Sequence, residues 1–288
     1  MNFRIQNDYL TAIIKDEGAE LCELLDQDQV QYIWTADKAY WGRHTPILFP
    51  LVGKVTGNSY TVEDETFNLG QHGFARDYTF EVAHQAETSI TFILHSNEET
   101  RSLYPFNFTL KVTYSLVENT LAIGYEVINE DDKEMAFKIG AHPGFRCPLF
   151  EDEKMEDYTL TFEKEEEVRF MPLTPAGYFT RTESTMVTRP LTISPELFAK
   201  DALVFADFTS KSVTLSSKNH NKAVEVGFEN FPFLGIWSPA SPSPFVCIEP
   251  WYGHADYEDE APNFMTKTDL NRLMPHESFT CTHTITIK

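Results

Sequence analysis

Cysteine is scarce in this 288-residue chain, and no two cysteines lie near each other in the sequence. The four are Cys22, Cys147, Cys247 and Cys281. None has the short paired spacing of a thiolate zinc site, and scattered single cysteines are typical of reduced, cytoplasmic proteins. The nine histidines also lack a His-X-His or His-X-X-X-His pair. The sequence therefore predicts a cytoplasmic protein without a metal site.

Basic residues are also few, since 23 Lys and Arg stand against 44 Asp and Glu, for a formal net charge of −21. Such a surface repels nucleic acid and anionic membranes, so neither is expected as a partner. Residues 1–8 contain no apolar signal core, and no apolar run has the length of a membrane span. The expected partner is instead a small molecule.

Sustained helical periodicity and breaks in composition are missing as well. Apolar residues alternate with polar ones along 106–117 and 120–128, and residues 60–69 have the pattern of a small hairpin. Residues 172–195 are rich in Thr, Ser and Pro, which predicts a long surface excursion. We therefore predict an all-β sandwich that forms a single domain over residues 1–288, with about eighteen short strands and few or no helices.

Ionisable side chains end three of the apolar segments, namely His72, His142 and Glu249. His142 and Glu249 each precede a proline, which favours extended backbone at both positions. A histidine and a carboxylate held on stiff backbone across a small pocket can act as general acid and general base. The structural alternatives are that either histidine is a satisfied core residue and that Glu249 pairs with Arg43 or Arg76.

Four motifs in order along the chain resemble those of the aldose 1-epimerase (galactose mutarotase) family, and most closely its LacX-like bacterial branch. They are Arg43 with TPILFP at 45–50, HGFAR at 72–76, GAHPGF at 140–145 and IEPW at 248–251. The resemblance covers essentially the whole chain. It implies a β-supersandwich, with a sugar lying on the concave face of one sheet and its α and β anomers interconverted without a cofactor.

The resemblance also implies a role for each matching residue. Glu249 resembles the base that takes the proton of the C1 hydroxyl, and His142 resembles the acid that protonates the ring oxygen. The aspartate of the family's pocket corresponds to Asp201, with Asp207 as a competitor. The remaining candidates for sugar binding are His72, Arg43, Arg76 and Trp237. Trp237 and a second tryptophan, Trp251, either stack on the sugar or belong to the core.

Two further readings stay open. Arg43, Arg76 and Arg146 lie in or beside the motifs, and arginine suits phosphate, so a hexose 6-phosphate is an alternative substrate. Asp77 follows Arg76 directly and no dense basic cluster is visible, so we favour a neutral hexose such as galactose or glucose. A non-catalytic sugar-binding protein on the same fold is the alternative from another class, and the oligomeric state is left open.

Overall fold

Strands make up most of the regular structure in the computed structural model, which describes residues 1–182 and 184–288. The all-β prediction is confirmed. The strands are β1 Asn2–Gln6, β2 Thr11–Lys15, β3 Leu21–Leu25, β4 Ile47–Leu48, β5 Ser59–Val62, β6 Glu65–Asn68, β7 Glu81–Gln85, β8 Ser89–His95, β9 Phe108–Val117, β10 Thr120–Asn129, β11 Met135–Phe137, β12 Ile139–Ala141, β13 Gly144–Arg146, β14 Tyr158–Phe162, β15 Glu167–Phe170, β16 Thr185–Val187, β17 Leu191–Thr192, β18 Leu203–Ala206, β19 Ser212–Ser217, β20 Ala223–Gly227, β21 Phe233–Trp237, β22 Phe245–Tyr252, β23 Asn271–Leu273 and β24 Ser278–Ile287.

Helical structure is limited to short segments among the described residues. The α-helix α1 spans Glu98–Leu103, and single 3₁₀ turns occur at Thr56–Asn58, Ala75–Asp77, Met155–Asp157, Pro195–Phe198 and Phe264–Thr266. Asn97 caps α1, because its side chain accepts the N–H of Thr100 at 2.9 Å while the Thr100 hydroxyl accepts the N–H of Asn97 at 2.8 Å. None of the described helices combines the length and apolarity needed to cross a membrane.

The two predicted hairpins form as the alternation indicates. β9 and β10 pair from Val117↔Thr120 at the turn onward, and their apolar side chains point into the core at every second position. Glu118 adopts a left-handed conformation with φ of 51° at this turn. The 60–69 prediction corresponds to β5 and β6, which pair from Val62↔Glu65 outward.

Two large sheets carry most of the strands. The nine-stranded sheet has the order β17-β14-β19-β20-β24-β10-β9-β8-β7. The second sheet has the order β16-β15-β18-β21-β22-β12-β4, with β13 also pairing with β22. Side chains of both sheets meet in one large apolar cluster, for example Phe162 of β14 and Phe205 of β18, whose rings meet edge to face at 5.6 Å.

β22 separates that core from the opposite face of its sheet. Val246 and Ile248 belong to the large apolar cluster, whereas the alternate residues Cys247, Glu249 and Trp251 point to the other side. Every one of these side chains is buried. The second face of the sheet is therefore covered by other parts of the chain, and it is there that the predicted site residues meet.

One cover comes from residues 172–195, and here the prediction of a surface excursion is partly wrong. Phe179 is 1% exposed, and its N–H donates to the Asp256 carbonyl at 3.0 Å. Its ring packs edge to face against His254 at 5.0 Å. The Thr, Ser and Pro content of this segment concealed Phe179 as an aromatic anchor that ties it to the sheet.

Candidate active site

A cleft of about 360 Å³ opens on the face of the second sheet. Six of the seven sequence-predicted site residues line it, and they come from separate parts of the chain: His72, Arg76, His142, Asp201, Trp237 and Glu249. Arg43 is the exception. The volume lies in the range of pockets that hold small ligands.

Strand register brings the acid and base candidates face to face. Gly140 of β12 pairs with Trp251 of β22, and Gly144 of β13 pairs with Cys247. Moving two residues inward from either pair gives His142 opposite Glu249. Residues directly opposite each other in an antiparallel pair place their side chains on the same face and in contact. The pairing of the two segments thus brings together residues that are 107 positions apart in the sequence.

Trp251 lies flat across the strands on either side of β22 because glycines flank it. A Cβ at Gly140 would lie 2.6 Å from Trp251 Cδ1, and a Cβ at Gly235 would lie 2.5 Å from Cζ2. Gly235 is itself the register partner of Glu249. The indole therefore forms part of the floor of the cleft, which a side chain at either glycine would prevent.

His142 and Glu249 form a close, buried pair. His142 Nε2 lies 3.3 Å from Glu249 Oε2, and the two residues are 8% and 1% exposed. His142 Nδ1 and Glu249 Oε2 both lack a hydrogen-bond partner among the described residues. The alternative that Glu249 pairs with Arg43 or Arg76 is therefore wrong. Buried polar atoms without partners are uncommon, and here they point to a ligand that completes them.

Burial also changes the proton affinity of both groups in the direction that disfavours charge. It raises the pKa of Glu249 well above its ordinary value, against the opposing effect of the Trp251 indole N–H and with the help of Asp201. It lowers the pKa of His142 to about 3, with Arg76 and Arg43 acting in the same direction. Burial therefore favours the neutral forms of both side chains, and perturbed titratable groups in a cleft are typical of catalytic sites.

His72 is fixed by its own backbone and by a defined tautomer. Its φ of 68° and that of Gly73, 69°, turn the chain sharply, and a Cβ at Gly73 would lie 2.3 Å from the Phe49 carbonyl oxygen. His72 Nδ1 accepts the N–H of Gly53 at 3.1 Å. The proton is then on Nε2, which lies 3.1 Å from the Gln71 amide nitrogen. That nitrogen cannot accept, so Gln71 bonds to this N–H only if its amide presents the oxygen instead, and otherwise the N–H is left for a ligand. Burial lowers the pKa of His72 well below its ordinary value, so this ring is a neutral donor.

The three arginines of the motifs have different surroundings. Arg76 lines the cleft and donates to the Gln71 carbonyl at 2.6 Å, while its buried Nε has no hydrogen-bond partner among the described residues. Arg43 is turned toward Asp77, with Nη2 donating to Oδ1 at 2.7 Å. Arg146 borders a separate surface depression. Only Arg76 of the three reaches the cleft.

Asp201 and Asp207 are distinguished by position. Asp201 lines the cleft at the start of the 202–206 segment, in a left-handed conformation with φ of 85°. Asp207 pairs with Arg169 at 2.9 Å and is not among the lining residues. The geometry therefore favours Asp201 as the pocket aspartate.

Comparisons with known proteins agree with this arrangement. The sequence model of the family described as aldose 1-epimerase matches residues 1–268. The chain belongs to the aldose 1-epimerase family. It is 34% identical to the protein LacX (chromosomal) of Lactococcus lactis subsp. lactis over 297 residues, covering 100% of this chain and 99% of that one.

Two solved structures are similar over their whole length. One is a galactose mutarotase related enzyme from Lactobacillus acidophilus, with a TM-score of 0.97 and 35% identity, covering 100% of this chain and 97% of that one. The other is a galactose mutarotase-like protein from Lactobacillus casei, with a TM-score of 0.93 and 32% identity, covering 100% of both. Membership of this family supports an isomerase-type enzyme with the galactose mutarotase-like fold.

Several residues of this aldose 1-epimerase-family cleft escaped the sequence argument. Trp41, Lys54, Gln71 and Phe179 all line it. Trp41 and Gln71 each stand at the edge of a motif that was recognised, so proximity to the motif was an available signal. Lys54 and Phe179 lie in loops without any pattern, and only the fold brings them to the cleft.

A potential metal-binding cluster also arises from the register. Donor atoms of His142, Cys247 and Glu249 lie within 4.8 Å of one another, although the sequence has no paired ligand spacing. Zinc binds such donors at about 2.0–2.3 Å, so the three would have to move together. Cys247 does not line the cleft, and burial raises the pKa of its thiol well above the ordinary value. These residues therefore fit a metal poorly.

Proposed function

We propose that this protein is an aldose 1-epimerase that interconverts the α and β anomers of a free hexose such as galactose or glucose. The observation that carries the proposal is the 3.3 Å approach of His142 Nε2 to Glu249 Oε2 in a buried cleft. Anomer exchange adds a proton to the ring oxygen and removes one from the C1 hydroxyl. These two oxygens are bonded to the same carbon, so the groups that serve them must also be close together.

In the proposed reaction, Glu249 takes the proton of the C1 hydroxyl while His142 protonates the ring oxygen. The bond between C1 and the ring oxygen breaks, and the open aldehyde rotates about C1–C2. Closure on the other face then returns each proton along the reverse path. No electron is transferred and only protons move, so the proposed reaction requires neither a metal nor a redox cofactor.

The burial of the pair helps the ring-opening step. The reactive form of the pair has Glu249 as a carboxylate and His142 as an imidazolium, and it forms from the neutral pair when the Glu249 proton crosses the 3.3 Å to His142 Nε2. After ring opening both are neutral. Burial raises the pKa of Glu249 and lowers that of His142, so both changes favour the state in which the proton has passed through the sugar. Re-closure restores the ion pair, and the attraction between its partners at 3.3 Å limits the cost of doing so.

The other lining residues have roles in holding the sugar. We assign Asp201, Arg76 and the neutral Nε2–H of His72 to the sugar hydroxyls, because carboxylate, guanidinium and imidazole can each satisfy them. Trp237 and Trp251 provide apolar surface for the faces of the ring. Arg43 remains a prediction for substrate positioning that would require it to leave Asp77.

A neutral sugar is favoured over a phosphorylated one by the surroundings of the arginines. A phosphate site would be expected to bring two or more of Arg43, Arg76 and Arg146 together free of acidic partners, and only Arg76 lines the cleft. The observation in favour of a hexose 6-phosphate is that Lys54 lines the same cleft. Lys54 Nζ donates to the Ala176 carbonyl at 3.2 Å, so this cation is already partly satisfied.

The test is the rate of anomer exchange, followed by polarimetry on freshly dissolved α-glucose and α-galactose and by coupled assay on their 6-phosphates. We expect acceleration of the neutral sugars by the unmodified protein and a loss of about 10²- to 10⁴-fold in Glu249→Gln. The matched control is Glu225→Gln, a carboxylate that pairs with Lys288 on the other sheet and should leave the rate unchanged.

Three outcomes would contradict parts of the proposal. Sugar-induced thermal stabilisation without any acceleration would make the protein a sugar-binding module. Specificity constants at least tenfold higher for the phosphates, lost selectively in Arg76→Ala, would make it a hexose-phosphate epimerase. A wild-type rate in Glu249→Gln would show that Glu249 is not the base.

A further inference from the structure

Among the described residues, none gives the second ring nitrogen of His142 a hydrogen bond that would fix the orientation of the imidazole. Histidines that transfer protons are ordinarily oriented by a partner on the second ring nitrogen. Here Nδ1 is buried and has no partner within the described part of the chain, while Nε2 faces Glu249. An imidazole without such a partner can turn about the bond that joins it to Cβ unless packing prevents the rotation. Packing around the ring therefore has to supply the orientation that the missing partner does not.

Trp41 makes the one parallel ring contact with His142 among the described residues. The ring centroids are 4.8 Å apart and the planes differ by 28°. The other aromatic neighbours meet the imidazole edge to face, Trp237 at 5.7 Å and His72 at 5.5 Å. A stacked indole fixes the plane of the imidazole and covers one of its faces against water.

Trp41 is itself held from several sides. Its carbonyl accepts the indole N–H of Trp34 at 2.9 Å, and its ring stacks on Phe245 at 5.5 Å with an interplanar angle of 13°. Gly144 leaves space for this ring and for its neighbours, because a Cβ there would lie 3.1 Å from His44 O and from Trp34 Cβ and 3.2 Å from Trp41 Cζ3. The glycine two residues after His142 thus admits the ring that covers His142.

We infer that Trp41 is a positioning residue of this site, which aims the His142 imidazole at Glu249 and shields the acid–base pair from water. The inference rests on the proposed function, because it assigns Trp41 a part in the same proton transfer. Trp41 lies in a connecting segment outside the strands and lines the cleft. A residue needed only for the core would affect stability without affecting the titration of His142.

The experiment compares Trp41→Ala and Trp41→Phe with Tyr40→Ala as the matched control. Tyr40 is on the same loop and 47% exposed, packs against Trp34 and does not line the cleft. We expect Trp41→Ala to lower kcat by about 10- to 100-fold, with a much smaller change in KM, because a misaimed catalytic group costs rate rather than binding. Trp41→Phe should recover most of the loss, since it keeps a ring over the imidazole.

The second readout is the pKa of His142, measured by NMR titration of the ring without substrate. Burial is the main cause of its low pKa, so removal of the covering indole should raise it. The other charged or titratable groups that act on His142 from the surrounding elements are unchanged in the variant: Glu249, His72, Arg76, Arg43 and Glu20. Tyr40→Ala should leave the titration as it is.

The results that would overturn the inference are distinct from failure of the proposed function. A wild-type kcat with an unchanged His142 titration in Trp41→Ala would refute it, and so would a rise in KM alone, which would make Trp41 a sugar-stacking surface. If Trp41→Ala does not fold, Trp41→Leu, which keeps apolar volume but places no ring over the imidazole, should give the same changes. If the unmodified protein proves to have no epimerase activity, the titration still tests whether Trp41 controls the state of His142.

Discussion

Replacing Glu249 by glutamine should make the protein more stable while removing the proposed base. The carboxylate is 1% exposed, its Oε2 has no hydrogen-bond partner in the described residues, and burial raises its pKa well above the ordinary value. A charge in such surroundings costs free energy because water no longer solvates it. Glutamine has nearly the same shape and cannot ionise, so the variant is free of this cost.

The size and the pH dependence of the effect follow from the direction of the pKa shift. The pKa of Glu249 is higher in the folded than in the unfolded chain, so between the two values the folded state binds more protons. The free energy of unfolding of the unmodified protein therefore falls as the pH rises through this window. Keeping the carboxyl protonated in the folded chain costs up to about 1.4 kcal/mol for each pH unit above the unfolded pKa, which amounts to roughly 3 kcal/mol by neutral pH. We expect a gain of that size at neutral pH, about 2–4 °C in Tm for each kcal/mol, and none near the unfolded pKa of about 4.3.

Glu20 supplies a matched control, since it is a second glutamate that is 1% exposed. Burial alone would raise its pKa, but hydrogen bonds from His44 and Lys15 lower it to about 2. Its stabilising contribution is therefore present above the unfolded pKa and is lost as the pH falls toward about 2. At about 1.4 kcal/mol per pKa unit, Glu20→Gln should destabilise the protein by roughly 3 kcal/mol at neutral pH.

The assay is urea-induced unfolding of the three proteins at a series of pH values from about 4.5 to 8, with the midpoint and the m-value recorded at each. The reasoning predicts opposite signs for the two glutamine variants at neutral pH. If the free energy of unfolding of Glu249→Gln is instead lower by about 3–5 kcal/mol at neutral pH, Glu249 and His142 form a net stabilising ion pair. That result would refute the reasoning that burial of the Glu249 carboxyl destabilises the folded protein.

Three further perturbations test other parts of the structure. Gly235→Ala should cost about 1–3 kcal/mol in urea unfolding and raise KM for the sugar, because its Cβ would lie 2.5 Å from the Trp251 ring; unchanged values would show that Trp251 can shift freely. Lys267→Met should lower the free energy of unfolding by about 3–5 kcal/mol, because Lys267 and Asp256 pair at 2.6 Å with side chains 1% and 0% exposed. The control Lys211→Ala removes an exposed pair with Glu229 and should lower it by at most about 1 kcal/mol. Extensive dialysis against a chelator should leave epimerase activity unchanged, and loss of activity that zinc restores would contradict a mechanism based on protons alone.

Patterns of short range could be read from the sequence, and these account for much of the fold. The β9–β10 hairpin follows from alternation of apolar and polar residues on both sides of a two-residue turn. The short turn fixes the register, and the register fixes which side chains of each strand point into the core. The candidate pair was visible because His142 and Glu249 each stand before a proline at the end of an apolar run. What could not be read was the distance between them, which depends on the register of segments 107 residues apart.

The sequence did not indicate which of several chemically similar residues would pair with Arg43 or line the cleft. Arg43 had several carboxylates within conceivable reach, and its pairing with Asp77 depends on the 3₁₀ turn Ala75–Asp77 that brings this side chain near. Asp201 and Asp207 lie at opposite ends of strand β18, and the backbone at each end directs Asp201 into the cleft and Asp207 toward Arg169. In both cases the deciding factor is local backbone geometry, on which residue type and spacing carry little information.

Pro143, which follows His142, occupies a particular position in the pairing of its segment with the segment of Glu249. The Ile248 N–H donates to the Pro143 carbonyl at 3.2 Å, so Pro143 and Ile248 occupy a hydrogen-bonded position of the antiparallel ladder, where proline itself can donate nothing. Hydrogen-bonded and non-hydrogen-bonded pairs alternate along such a ladder, and side chains lie closer in the second kind. His142 and Glu249 are the next pair along and thus fall in the closer position. A slip of one residue would send either side chain into the apolar core, so the register of the two segments accounts for an acid and a base in contact on one face.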